Sequence, residues 1–169
     1  MNRIIATFLL AVIMMFSTAL SATTSDDAKQ YPSCSLCGMD REKFAQSRML
    51  IEYDDGTSMA TCSIHCAAID MAVQIDKSPR KISVGDFVSK KLIDAEKAVW
   101  VIGGTKPGVM AKNGKWAFEK KEEAEKFHKE NGGRIATFDE AMKASYEEMY
   151  ADTKMIREKR KMKRMHHNM

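Results

Sequence analysis

Four cysteines stand in two close pairs, Cys34-x-x-Cys37 and Cys62-x-x-x-Cys66. Met39 follows Cys37-Gly38, and His65 directly precedes Cys66, so the stretch carries thiols, a thioether and an imidazole. These are soft and borderline donors that suit Cu(I), Zn(II) or Hg(II) and suit Mg or Ca poorly. Three chemistries are open to the pairs. In an exported protein the plain one is two disulfides, because oxidising compartments favour them. The second is a structural Zn(II) cage, with a Cys-x-x-Cys knuckle and a Cys-x-x-x-Cys helix start closing on one ion. The third is a transfer site for Cu(I), in which fewer ligands leave the metal open to a partner. A thiol-disulfide oxidoreductase ranks below these. It would need a long βαβ context with the first Cys at a helix start, whereas this pair precedes a hairpin and runs into Gly38-Met39. The reading is therefore of a binding protein and not an enzyme.

The methionines favour copper. Zinc has no use for a thioether, while Cu(I) binds it well, and thioethers stay competent where thiols are lost to oxidation. Met39 adjoins the first cysteine pair, Met59 precedes the second, and the C-terminus carries Met162, Met165, His166, His167 and Met169 among basic residues. Met71, Met142 and Met149 are explained as core fillers and helix formers, but a basic polar terminus cannot be buried, so its Met/His cluster reads as an auxiliary metal site. His128 falls on a charged helix and reads as solvated.

The N-terminus addresses the site to a compartment. Residues 1–21 hold Arg3 as the only charge, an apolar run over 4–16, and the small residues Ala19-x-Ser21. That run is short for a bilayer span and fits a signal peptide cleaved near Ala22, which places the mature chain in the periplasm; an uncleaved N-terminal membrane anchor is the alternative. No stable membrane insertion is expected after cleavage. The net charge of +4 is unevenly spread. Seven Lys/Arg against Glu158 give residues 154–169 a charge of +6, and Arg3 leaves with the leader, so residues 22–153 carry about −3. Without aromatic interleaving or a nucleic-acid motif, the basic terminus excludes a nucleic-acid role.

The elements that must position the cysteines follow from periodicity. Residues 22–33 are polar and read as a linker. Residues 49–53 alternate, Asp54-Asp55-Gly56 turns, and residues 57–61 return as a hairpin. From Cys62 the apolar positions Ile64, Ala67, Ala68, Met71 and Ile75 take helical spacing until Ser78-Pro79. Cys62, His65 and Cys66 then stand at i, i+3 and i+4, which puts all three on one side of a helix start, where the helix dipole favours thiolate. Residues 80–94 read as connecting structure. Residues 98–102 are a strand ending at Gly103-Gly104; residues 109–111 and 115–118 form a second hairpin around Lys112-Asn113-Gly114; residues 120–131 form a charged helix ended by Gly132-Gly133. Residues 134–136 are a short strand, and Thr137-x-x-Glu140 is a capping box opening a helix from Phe138 that fades into a fraying or projecting basic run. The fold class is α+β, with two similar small β-β-α halves, of which only the first holds cysteines.

Cys34-Ser35-Leu36-Cys37-Gly38-Met39, the hairpin leading to Cys62-x-x-His65-Cys66, the segment from Val99-Trp100-Val101 to Lys106-Pro107-Gly108-Val109-Met110, and Gly132-Gly133 followed by Phe138-Asp139-Glu140-Ala141 together resemble the NosL family, the accessory proteins of nitrous oxide reductase. The resemblance covers nearly all of residues 31–144. It implies two similar ββαβ halves, like the noncatalytic part of organomercurial lyase, with a first half over 34–95, a second over 96–144, and a helical basic Met/His tail over 145–169. It implies a periplasmic Cu(I) chaperone serving nitrous oxide reductase, or a related copper enzyme or its membrane assembly machinery, with ligands drawn from Cys37, Met39 and Met110. Cys34, Cys62, His65 and Cys66 are further candidates. This chain departs from the family in lacking a lipid-bearing cysteine and in having a second cysteine pair, which keeps a four-thiol Zn(II) site open. The leader carries its own expectation: protein recovered from the periplasm has an intact mass that starts near Ala22, and a mass retaining residues 1–21 would establish the anchored form instead.

Overall fold

The computed structural model describes residues 26–167, so the leader and Met169 lie outside the described residues. Two antiparallel sheets and the helices between them make up the α+β chain. The first sheet has the order β2-β1-β3-β4, with β1 at Met49–Tyr53, β2 at Ser58–Thr61, β3 at Pro79–Gly85 and β4 at Leu92–Asp94. The second has the order β6-β5-β7, with β5 at Val99–Pro107, β6 at Asn113–Phe118 and β7 at Arg134–Ala136. Helix α1 is Asp26–Gln30, α2 is Ile64–Val73, α3 is Lys121–Asn131 and α4 is Phe138–His167. Among the described residues no helix is long and apolar enough to cross a membrane.

The first hairpin forms where the alternation asks for it. Met49, Ile51 and Tyr53 are buried in β1, the Asp55 carboxylate accepts the Thr57 N–H at 2.9 Å in the turn, and Met49 pairs with Thr61. That registry delivers Cys62 to the buried end of β2. Ser63 is the N-cap of α2. The helix stops at Val73, where the Gln74 N–H returns to the Asp70 carbonyl, and Ile75 lies exposed rather than on a buried face.

Residues 80–94 are not connecting structure. Ile82 faces Ile51 and Val84 faces Met49 across β1, so β3 draws its stability from a partner some thirty residues earlier and not from its own alternation. Asp86 then ties the two sheets together. It bridges to Ala117, and its carboxylate accepts the N–H groups of Val88 and Glu119 at 3.1 and 3.0 Å, while Phe87 packs its ring against Trp116, Phe118 and Phe127.

The second hairpin is also re-registered. Residues 109–111 are its loop, and the partner of β6 is β5, with Val99 opposite Phe118 and Ile102 opposite Lys115. Gly103-Gly104 does not end the strand. Both glycines have positive φ, and a Cβ on Gly104 would lie 2.6 Å from the Asn131 carbonyl oxygen, while one on Gly133 would lie 2.7 Å from that of Ile102. The glycines therefore let the α3–β7 turn close on β5, and the strand resumes beyond a shift in registry to pair Pro107 with Asn113. The capping box forms as read: the Thr137 N–H donates to Glu140 Oε2 at 2.8 Å and the Glu140 N–H to Thr137 Oγ1 at 3.3 Å. From there α4 runs unbroken to His167, its first half packed on α2 and β5 and its basic run from Arg157 to His166 exposed.

One apolar cluster joins Met49, Ile51 and Ile64 to Trp100, Ile102 and Phe138, so the two sheets share a core. A second feature stands on the cysteine side. Within the stretch read as a linker, helix α1 sets Asp27 between two wholly buried guanidinium groups: Arg41 at 3.0 Å and Arg48 at 2.8 Å. Arg41 also donates to the carbonyls of Tyr31 at 2.8 Å, Thr61 at 3.1 Å and Met49 at 3.1 Å, binding the start of the cysteine loop to the hairpin that precedes Cys62.

Removing one partner of such a pair leaves buried charge behind. Asp27→Ala is expected to lower the unfolding free energy by about 3–5 kcal/mol, measured by urea denaturation. Asp26→Ala, at a fully exposed neighbour, is expected to stay within about 0.5 kcal/mol.

Candidate metal centre

The first cysteine pair sits in a short loop closed at its neck, where Ser33 bridges to Asp40. Inside it the Cys34 N–H donates to the Met39 carbonyl at 2.8 Å and the Gly38 N–H to the Cys34 carbonyl at 2.9 Å. Such a tight reversal needs a left-handed residue, supplied by Gly38 at φ +74°. The Ser35 N–H pins the loop to the Ala60 carbonyl of β2 at 2.9 Å, one strand position from Thr61 and the second pair. Cys62 follows β2, and Cys66 occupies the first turn of α2.

These two local structures bring all four Sγ atoms within 4.8 Å of one another. Cys37 Sγ lies 3.4 Å from Cys62 Sγ, and Cys62 Sγ lies 3.8 Å from Cys66 Sγ. All four are free thiols; Cys34, Cys62 and Cys66 are buried, whereas Cys37 is half-buried at the mouth. A tetrahedral ion with metal–sulfur bonds of about 2.3 Å holds its sulfurs at about this separation, so the donor set fits a soft metal.

The thiols set one another's protonation. Cys34 is pulled well below the ordinary thiol range by hydrogen bonds from Cys37, Cys62 and Cys66. Cys62 and Cys66 are pushed up, because they donate to Cys34 and Cys37 and are buried. For Cys37 the hydrogen bond it donates to Cys34 works upward, but hydrogen bonds from Cys62 and Cys66 outweigh it and lower this thiol to about 7. The buried Arg41 guanidinium adds a Coulombic attraction toward Cys34. Without metal, therefore, negative charge is anchored at Cys34 and protons stay on Cys62 and Cys66. A metal must displace them.

His65 does not join the sulfurs. Because Ser63 is extended and the helix begins at Ile64, Cys62 precedes the helix, and the spacing of i, i+3 and i+4 no longer shares a face. Consecutive helical residues point about 100° apart, so Cys66 turns to the loop and His65 to α4. Its Nδ1 lies 3.8 Å from the buried Asp152 Oδ2, and burial lowers its pKa, against the attraction of Asp152 and with the help of Lys115.

Met39 and Met110 do reach the cluster: with Cys37, Phe44 and Val109 they pack against Cys34, Cys62 and Cys66. Met110 comes from the β5–β6 loop and carries φ +57°. Met59 packs instead on the main core. Met39 and Met110 also line a cleft of about 280 Å³ whose far wall is α4, through Met155, Ile156, Lys159 and Arg160. Met155 was not singled out in the sequence, although it precedes Met162 by seven residues, two helical turns. In the tail Met162 and Met165 are exposed on α4, and Met162, Met165 and His166 stand at i, i+3 and i+4; Met169 lies outside the described residues.

Residues 24–146 match the family model described as NosL. Among solved structures the chain is similar to the crystal structure of the copper chaperone NosL from Shewanella denitrificans, with a TM-score of 0.52 and 21% identity over 64% of this chain and 87% of that one. At that identity the likeness concerns the fold. A search of the curated proteins returned no match.

The protonation pattern is directly measurable. Alkylation of Cys37 in the metal-free folded protein is expected to follow a midpoint near 7. Below that pH the thiol keeps its proton and reacts slowly; above it the thiolate reacts fast, while buried Cys62 and Cys66 stay unmodified. Peptide mass spectrometry after timed alkylation reads this out, and a midpoint near the usual thiol value of about 8.5 would show that the sulfurs do not share their protons.

Proposed function

Because the chain belongs to the NosL family, we propose that it is a Cu(I) metallochaperone. It holds the ion among Cys37, Met39 and Met110 at the mouth of a four-thiol pocket and surrenders it to a copper-accepting enzyme. The cargo is bound and released, with no catalysis. The recipient is nitrous oxide reductase or a related copper enzyme, or the membrane machinery that assembles it, and the setting is the periplasm, as the leader pattern suggests. The Shewanella protein of similar fold is described as a copper chaperone.

The observation that carries this reading is the pairing of thiols with thioethers: Met39 and Met110 pack against the cysteine cluster. Thiolate with thioether is a Cu(I) donor set, and neither group is a preference of harder ions. The half-buried Cys37 gives one end of the pocket to solvent. A recipient's thiolate or thioether then attaches to the low-coordinate ion before the old ligands leave. Handing over needs this asymmetry. The exposed Met162, Met165 and His166 add a weak auxiliary site along the tail, to which His167 and Met169 belong by sequence.

A second reading is favoured by one feature. Three buried thiols in a set of four within 4.8 Å also suit a structural Zn(II) ion in a closed cage. Anaerobic titration separates the two. The chaperone reading expects a single equivalent of Cu(I) retained against a Cu(I)-specific chromophoric chelator, weakened at least about tenfold by Cys37→Ser and measurably by Met39→Leu. Stoichiometric zinc that Cu(I) fails to displace would overturn it.

A further inference from the structure

The cleft beside the thiol pocket contains a donor that the family resemblance does not supply. Three half-buried thioethers line it: Met39 from the cysteine loop, Met110 from the β5–β6 loop and Met155 from α4. Met155 lies beyond residues 24–146 that match the family model. From these observations we propose that Met155 is a further ligand for Cu(I), completing with Met39 and Met110 a thioether-only site at which the ion halts on its way into or out of the cysteine pocket. The proposal rests on the Cu(I) reading above and adds to it a residue and a second position for the ion.

Three observations converge. The first is the sorting of methionines along α4. Met142 is buried in the main core and Met149 packs against it, as fillers do. Met155, six residues or about one and two-thirds turns beyond Met149, lines the cleft opposite the other two thioethers. The second is backbone conformation. Met110 takes a left-handed φ of +57°, a region that is strained for a non-glycine residue and is retained where the surroundings demand it. Here the strained residue is the one whose side chain joins the cleft. The third is the contact of α4 with the thiol loop: Arg160, which lines the cleft, donates from Nη2 to the Cys37 carbonyl at 3.4 Å. The helix is thereby fastened beside the mouth of the pocket, with Met39 two residues away along the chain.

The electrostatics suit two stations. A Cu(I) ion among thiolates leaves net negative charge, which Lys159 and Arg160 on the cleft wall offset. The same two cations disfavour a hard divalent ion in the cleft, where neutral thioethers would have nothing to compensate its charge. A monovalent soft ion pays less of that penalty and gains covalent bonding to sulfur. The cleft therefore favours a soft monovalent ion over a hard divalent one.

The test uses the full-length protein with methyl-¹³C methionine, each signal assigned by a single Met→Leu substitution, titrated anaerobically with Cu(I). The expected result is that the ε-methyl signals of Met39, Met110 and Met155 shift together while that of buried Met142 stays still. Met155→Leu, which conserves volume, is expected to slow the passage of Cu(I) to the chelator about tenfold while leaving the equivalents retained, Zn(II) binding and the thermal midpoint unchanged. Retained Cu(I) with Met155 as unmoved as Met142, or a Met155→Leu protein indistinguishable from the parent, would overturn the thioether station and leave the chaperone reading intact. A protein that holds no Cu(I) at all would sink both.

Discussion

Two guanidinium groups buried to zero exposure share one carboxylate, and the geometry of the sulfur pocket depends on that arrangement. Arg41 and Arg48 bring more positive charge into the interior than Asp27 neutralises, a state that survives only because their N–H groups are taken up by carbonyls and by the Asp27 carboxylate. Besides that of Asp27, the carbonyls Arg41 uses belong to Tyr31, Met49 and Thr61, which are the approach to the cysteine loop, the start of β1 and the residue before Cys62. One side chain thus measures the distance between the two cysteine pairs. Its charge also favours thiolate at Cys34, so the same group that sets the spacing of the sulfurs biases which of them loses its proton.

The pocket built on this brace is unequal at its two ends. Cys62 and Cys66 lie behind the loop, against the start of α2, and keep their protons; Cys37 faces outward next to two thioethers. Four sulfurs this close cannot all be charged at once in a region shielded from water. A soft cation shared among them would take the place of those protons and relieve the conflict. Burial thus separates three enclosed thiols from one half-buried thiol that stands beside two thioethers.

Much of the local structure was legible from residue types. The alternation of 49–53, the Asp54-Asp55-Gly56 turn and the Thr137-x-x-Glu140 box formed where they were read, because each is a short-range device whose partners lie within a few residues. The errors share one cause. β3 was read as connecting structure because its stabilising partner is β1, far back in the chain. The second hairpin was shifted because Gly103-Gly104 resembled a stop, whereas those glycines serve a contact with residues 131–133. Spacing groups His65 with Cys62 and Cys66, but the N-cap at Ser63 leaves Cys62 outside the helix and the imidazole faces Asp152.

The sequence alone determined the donor chemistry: which atoms are soft, that a hairpin leads into the second cysteine pair, and that a helix follows it. Those facts are local, and backbone sterics and side-chain type settle them. Only the tertiary structure decided who meets whom. That the two cysteine pairs converge, that Met110 arrives from another sheet and that Met155 closes the cleft from α4 all depend on a shared core and a buried ion cluster, whose contacts join residues distant along the chain. Packing of that kind leaves no period or spacing in the sequence, because it is satisfied by volume and charge rather than by neighbours.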